Sequence, residues 1–348
     1  AQKWDYVFLQ LGPWDPIVEG IYESSRNTIV SHIKSKLPKA EIGYSVSWLS
    51  PYEYVGSNTD HKDIYDQSVL LAGNKTTAYD RYSALLNNVK TTLLNEDGTP
   101  KEEDISMVIT VGTPVYYAIE ELGADVTDLY NSADNLHING SDLGGILAAY
   151  SFYMQFMQNL GLVKECTVNM DTYIRLKGSG SGTKDTFDLT QNNNEPKQQI
   201  AEAVNYVLNN PWTLPVPKDP GEAPGDDNTG SGDDNTGDDN TGEGKKILLI
   251  GNSHSQDTFW GVPQVAIAQG VKNYTFGIAK LAGTTLETHA SNINDGENSV
   301  RYSTYEYFIS EPSDNGVYRT EKQKTLDSIL EAQKWDYVFL QLGPWDPI

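Results

Sequence analysis

The stretch AQKWDYVFLQLGPWDPI fills residues 1–17 and returns without a change at residues 332–348. Chance does not produce an identical copy of this length. The offset is that of a whole domain and far exceeds a solenoid period. Three origins fit: a piece of a tandem array of near-identical domains, a circular permutation, or a sequence assembly whose two ends overlap. The first and third are expected here, and both put the natural start of the folding unit inside the chain, with any export signal outside it. That start is marked by residues 216–244, VPKDPGEAPGDDNTGSGDDNTGDDNTGEG, which hold three copies of DDNT and nine acidic residues against one Lys. Such a segment cannot enter a core and repels itself into an extended linker. The EF-hand pattern with its closing Glu is missing, so it reads as a solvated spacer rather than a calcium site. Residues 245–348 are then the N-terminal portion of one domain and residues 1–215 its C-terminal portion.

The 348 residues carry a formal net charge of −23. A phosphate-backbone partner needs clustered Lys and Arg, so nucleic acid is excluded. A single cysteine, Cys166, permits neither an internal disulfide nor a cysteine metal cluster, and no metal or cofactor is expected. No apolar run reaches the length of a membrane span.

In cyclic order the chain alternates strand and helix. Lys246–Ile250 (KILLI) is a continuous apolar run of the kind buried on both faces of a sheet. A helix over Asp257–Gln269 follows, with Phe259, Val262, Val265 and Ala266 on one face. Further strands are expected at Tyr274–Ala279, at WDYVFLQL (Trp4–Leu11, copied at Trp335–Leu342), at Glu41–Trp48 and at Ile105–Val111. Helices are expected over Val18–Lys36, Tyr79–Leu94, Leu143–Leu160 and Pro196–Leu208. The pattern predicts an α/β fold, a three-layer α/β/α sandwich around a doubly wound, mainly parallel five-stranded sheet. A longer sheet with an antiparallel edge is the alternative. Only one copy of the duplicated strand is expected in the sheet, the other hanging free or lent to a neighbouring unit.

Ligands of such folds bind beyond the carboxyl ends of the strands. There the sequence reads IGNSHSQDT, Ile250–Thr258, with Ser253 at a turn where a helix begins. A serine nucleophile needs a base, and the chain has five histidines: His32, His61, His137, His254 and His289. His32 is expected on an exposed polar helix face and His61 in a polar loop. His137 lies three residues after Asp134 in SADNLHINGSDLGG, a spacing that lets a carboxylate fold back onto Nδ1 and leave Nε2 for the serine proton. His254 is expected to point away from its neighbour Ser253 at the turn or to line the pocket, and His289, in LAGTTLETH, is the rival for a site role.

An apolar strand ending in Gly-Asn-Ser, a glycine loop after the next strand and a late Asp-x-x-His together resemble the SGNH (GDSL-like) hydrolase superfamily. The Asn252 spelling resembles its GNS-type subgroup of domains of unknown function in gut Bacteroidetes. The resemblance implies a flavodoxin-like fold, Ser253 as nucleophile, His137 as general base, Asp134 as its orienting acid, and the backbone N–H groups of Ser253 and Gly283 as oxyanion donors. The family's third block, Gly-x-Asn-Asp, is replaced by LQLGPWDP, with Trp14 where the Asn would stand. Gln10, its copy Gln341, and Asn252 are the amides expected to help at the oxyanion.

With 21 Tyr and 7 Trp in the chain, aromatics after strands (Trp14, Trp48, Tyr52, Tyr54, Trp260) suit sugar rings, and Trp14, Trp48 and His289 are expected to bind substrate. The expected function is a secreted, periplasmic or cell-surface bacterial serine esterase, removing acetyl or similar acyl groups from polysaccharide or oligosaccharide through an acyl-enzyme. The alternative is a catalytically silent repeated surface module that binds glycans or acts as a spacer.

Overall fold

The computed structural model describes residues 6–11, 21–49, 59–101, 105–130, 137–138, 143–176, 184–216, 244–333 and 335–341. Its strands are β1 (Tyr6–Leu11), β2 (Ile42–Val46), β3 (Ile105–Thr110), β4 (Thr172–Leu176), β5 (Lys184–Asp188), β6 (Lys246–Gly251), β7 (Thr275–Lys280), β8 (Tyr305–Ser310), β9 (Arg319–Lys324) and β10 (Tyr337–Gln341). The helices are α1 (Ile21–Lys36), α2 (Thr59–Leu71), α3 (Ala78–Leu93), α4 (Thr113–Glu120), α5 (Val126–Leu129), α6 (Leu143–Asn159), α7 (Gln191–Asn209), α8 (Ser253–Phe259), α9 (Val262–Ala268), α10 (Leu286–Asp295) and α11 (Leu326–Ala332).

The expected five-stranded, flavodoxin-like sheet is not what forms. The architecture is mixed α/β, with an eight-stranded sheet in the order β3-β2-β1-β10-β6-β7-β8-β9 and a separate antiparallel hairpin, β4-β5. Strands β3 through β7 of that order run parallel, while β8 and β9 are antiparallel and form one edge. The extra parallel strand is the duplicate. Strands β1 and β10 lie side by side in register, Tyr6 opposite Tyr337 through Gln10 opposite Gln341. The expectation that one copy hangs free is therefore also overturned: β10 inserts between β1 and β6, so both of its edges are paired.

Alternation along the strands sends side chains to two cores. Ile247 and Leu249 of β6, with Phe276 and Ile278 of β7, pack with α6, α8 and α9. Leu248 and Ile250, with Ala279 and Tyr305, pack with α1, α3, α10 and α11. Helix α6 is buried all round from Leu143 to Met157, as its nearly unbroken apolar sequence requires.

The single helix expected over Asp257–Gln269 is two. The break falls at Trp260-Gly261, with a proline in the first turn of α9. Gly261 is needed there because a Cβ would stand 2.8 Å from Ala149 Cβ and 2.9 Å from Tyr173 Cε2. His61, expected in a loop, is on α2. His32, expected to be exposed, is bonded through Nε2 to Asp327 Oδ1 at 2.7 Å and ties α1 to α11. The linker over 216–244 lies outside the described residues except for its ends, Val216 and Gly244.

Trp335 anchors the strand that joins the two halves. It is fully buried, donates from Nε1 to the Ile329 carbonyl at 2.8 Å, and meets Tyr307 edge-on. Its ring fills the space where Gly277 lacks a side chain, since a Cβ there would lie 2.6 Å from Trp335 Cη2 and 3.0 Å from Leu248 Cδ1. Gly277→Ala should thus overpack this contact and cost about 1–3 kcal/mol. Urea unfolding reads it as a lower midpoint at unchanged slope; an unaltered midpoint would show that the indole is not seated against Gly277.

Candidate active site

Strand β6 ends at Gly251, and the chain enters α8 through Asn252, the helix N-cap. The cap is reciprocal: the Asn252 side chain accepts from the His254 N–H at 3.0 Å, and the Asn252 N–H donates to Ser255 Oγ at 3.1 Å. This holds Ser253 at the first helical position, half-buried at the carboxyl end of the parallel strands.

His137 reaches the same place from a distant part of the chain. Its neighbour Ile138 is buried and pairs antiparallel with Tyr130, just after α5, and the chain then enters α6. Close packing here depends on Gly144, whose added Cβ would fall 2.2 Å from the Leu129 carbonyl oxygen and 2.7 Å from Ile138 Cγ2. The result is a hydrogen bond of 2.9 Å between His137 Nε2 and Ser253 Oγ across 116 positions of sequence. With the ring proton on Nδ1, the serine hydroxyl donates to Nε2, the arrangement that lets an imidazole take its proton. Asp134 lies outside the described residues, as do Trp14, Tyr52 and Tyr54.

The loop after β7 stands beside this pair. Leu281 N–H donates to the Gly251 carbonyl at 2.7 Å, and Asn252 Nδ2 donates to the Thr284 carbonyl at 3.1 Å. Gly283 sits at the exposed tip with φ of +55°, a left-handed conformation that favours glycine. Arg301 donates to the Ala282 carbonyl from the other side.

Two expected site residues turn inward instead. Asn252 is fully buried, and both ends of its amide are engaged in the turn, so it supports the loop rather than facing an oxyanion. His289 is also fully buried and does not line a substrate site. Thr284 Oγ1 donates to the Leu281 carbonyl and accepts from His289 Nε2 at 3.2 Å, while His289 Nδ1 accepts from Tyr305 Oη at 2.7 Å. These are the roles the partners take when the ring is neutral with its proton on Nε2. Burial, followed by the Arg301 charge, pushes the His289 pKa down from 6.5 to about 3.

Trp48 is buried rather than open to solvent. One side of it borders a small pocket shared with Tyr82, Tyr116 and Tyr130, and its ring lies 5.4 Å from that of His254. Trp260 packs on Tyr318 and Phe308. Gln10 and Gln341 are register partners, one position beyond the pairing of Leu340 with Ile250. His254, for which the sequence left open pointing away from Ser253 or lining the pocket, is buried with its ring stacked on that of His137, a contact that its place next to Ser253 in IGNSHSQDT did not foretell. Among the described residues no group of three or more His, Cys, Asp or Glu comes together that could hold a metal ion, and no helix is long and apolar enough to cross a membrane.

The buried polar cluster makes two predictions. Asn252→Asp keeps the acceptor but sets a carboxylate against the Thr284 carbonyl in a dry site. It should cost about 2 kcal/mol or more at neutral pH and less in acid, where a protonated acid can donate again. Chemical denaturation at two pH values checks this, and equal stability of the two proteins would refute it. For His289, the unfolded chain takes up a proton near pH 6.5 that the folded chain refuses until about pH 3. Stability is therefore lost as pH falls below 6.5, approaching about 1.4 kcal/mol per pH unit from this one group. His289→Gln should flatten the dependence between pH 6.5 and 5 by that amount; identical slopes would contradict the buried neutral ring.

Compared with protein-family models, with curated proteins and with solved structures, the chain finds no match.

Proposed function

We propose that this protein is a serine ester hydrolase that removes small acyl groups, acetyl foremost, from carbohydrate outside the cell. The observation that carries the reading is the 2.9 Å contact between Ser253 Oγ and His137 Nε2. It joins two residues that the resemblance to SGNH hydrolases names as nucleophile and base.

In the proposed reaction Ser253 Oγ attacks the ester carbonyl while its proton passes to His137 Nε2. The carbonyl oxygen gains the negative charge, and the N–H groups of Ser253 and of exposed Gly283 are the donors offered to it. His137 then returns the proton to the departing sugar oxygen as the tetrahedral adduct collapses to an acyl-serine. A water activated by the same imidazole attacks the acyl-serine, releasing the carboxylic acid and restoring Ser253. Asp134 would hold His137 by its Nδ1, a role drawn from the resemblance alone. Carbohydrate as substrate and export from the cell rest on the same footing.

The test is covalent labelling with a fluorophosphonate probe beside a panel of p-nitrophenyl esters of rising chain length and acetylated xylan. The wild type should label on Ser253 and prefer the shortest esters. Ser253→Ala should not label, and His137→Ala should lower kcat/KM by roughly 10³-fold or more. A folded wild-type chain inert to probe and esters alike would sink the esterase and favour a silent surface module.

A further inference from the structure

His254 follows the serine in sequence, yet its ring turns away from solvent and lies against the base. The His254 and His137 rings stack with centroids 4.7 Å apart and planes 19° from parallel. Behind His254 stands Trp48, 5.4 Å away and tilted by 46°. His254 is 2 % exposed and Trp48 1 %, so the inner two members of this column cannot move without disturbing packing. The backbone of His254 is fixed too, because its N–H is bound by the Asn252 side chain.

We propose that His254 is a positioning residue for His137, setting the plane of the basic ring through a Trp48–His254–His137 column. This rests on the esterase reading for its catalytic consequence, though not for its geometry. The hydrogen bond to Ser253 meets the Nε2 corner of His137 within the plane of the ring, and an in-plane bond opposes tilt out of that plane only weakly. A flat partner 4.7 Å from its face removes the tilt while allowing Nε2 to slide between the serine and a leaving oxygen. A saturated side chain at position 254 would not supply this flat face.

The experiment compares the full chain with His254→Phe, His254→Gln and His254→Ala. Phe keeps a flat ring, Gln keeps polarity and similar bulk without one, and Ala keeps neither. Two readouts are taken. Ring-labelled histidine NMR follows the upfield shift of the His137 C–H signals, identified by their loss in His137→Ala, and needs no activity. Steady-state hydrolysis of p-nitrophenyl acetate and the rate of fluorophosphonate labelling follow the chemistry. The expected result is that Ala and Gln lose the upfield shift and lower kcat about 10- to 100-fold with KM within about threefold, the scale of a misplaced base. Phe should retain the shift and return kcat to within about threefold of wild type. Restoration by Gln as well as by Phe would overturn the proposal in favour of a polar or bulk requirement, as would an Ala variant with wild-type kcat. Should the wild type itself prove inert, the esterase reading fails, and the NMR arm alone decides the column: a His137 signal unchanged in His254→Ala refutes it.

Discussion

Everything in the molecule depends on the ladders that β10 makes on its two sides, to β6 and to β1. The chain from 244 onward supplies β6, the Ser253 turn and the antiparallel edge. The chain up to 216 supplies β1, β2, β3 and the helices from which His137 hangs. Backbone hydrogen bonds across β10 unite these parts into one sheet with parallel strands ending on a common side. A parallel strand has to meet its neighbours through distant connections, because no tight turn can reverse it into register. That is why Ser253 and His137, so far apart in sequence, share one end of the sheet, where the N–H groups and carbonyls of loops are gathered.

The second constraint is the dryness of the turn that carries Ser253. Asn252, Thr284, His289 and Tyr305 are all buried, and each finds its partner within the group. Spending these polar groups on one another keeps the loop around Gly283 at a fixed distance from the serine turn. Asn suits the position because it donates and accepts at once, to the Thr284 carbonyl and from the His254 N–H. An ionised Asp would offer only acceptors, and without a cation beside it the charge would be costly in so enclosed a place.

How far this was legible in the sequence follows from which forces act locally. The apolar run at 246–250 reads as a buried strand, and the small set of histidines left His137 and His289 as candidates, between which the resemblance to SGNH hydrolases chose His137. The sheet was not legible to the same degree. The Arg319–Lys324 strand, RTEKQK, is polar and held by edge pairing, so no hydrophobic period announces it. Strands β4 (TYIRL) and β5 (KDTFD) form an isolated ribbon of five-residue strands, too short for a hydrophobic period to announce them. Two identical strands in one sheet ran against the premise that a fold has one slot for each strand. That premise yields because an apolar strand with an unpaired edge gains by pairing even with its own copy.

The inward turn of His289 and Asn252 was hidden for a more general reason. A polar residue beside a reactive serine can face the substrate or hold the backbone that faces it, and composition does not separate the two. Burial does. A group removed from water must satisfy its hydrogen bonds inside the protein, so the side chains nearest the turn are claimed first by the loops they support. Among the described residues at this turn, Ser253 and His137 are left partly open to solvent and Gly283 is exposed. His254 marks the border between the two roles: buried like the supporting residues, it lies flat against the imidazole that in the proposed reaction carries the proton from Ser253 to the leaving oxygen.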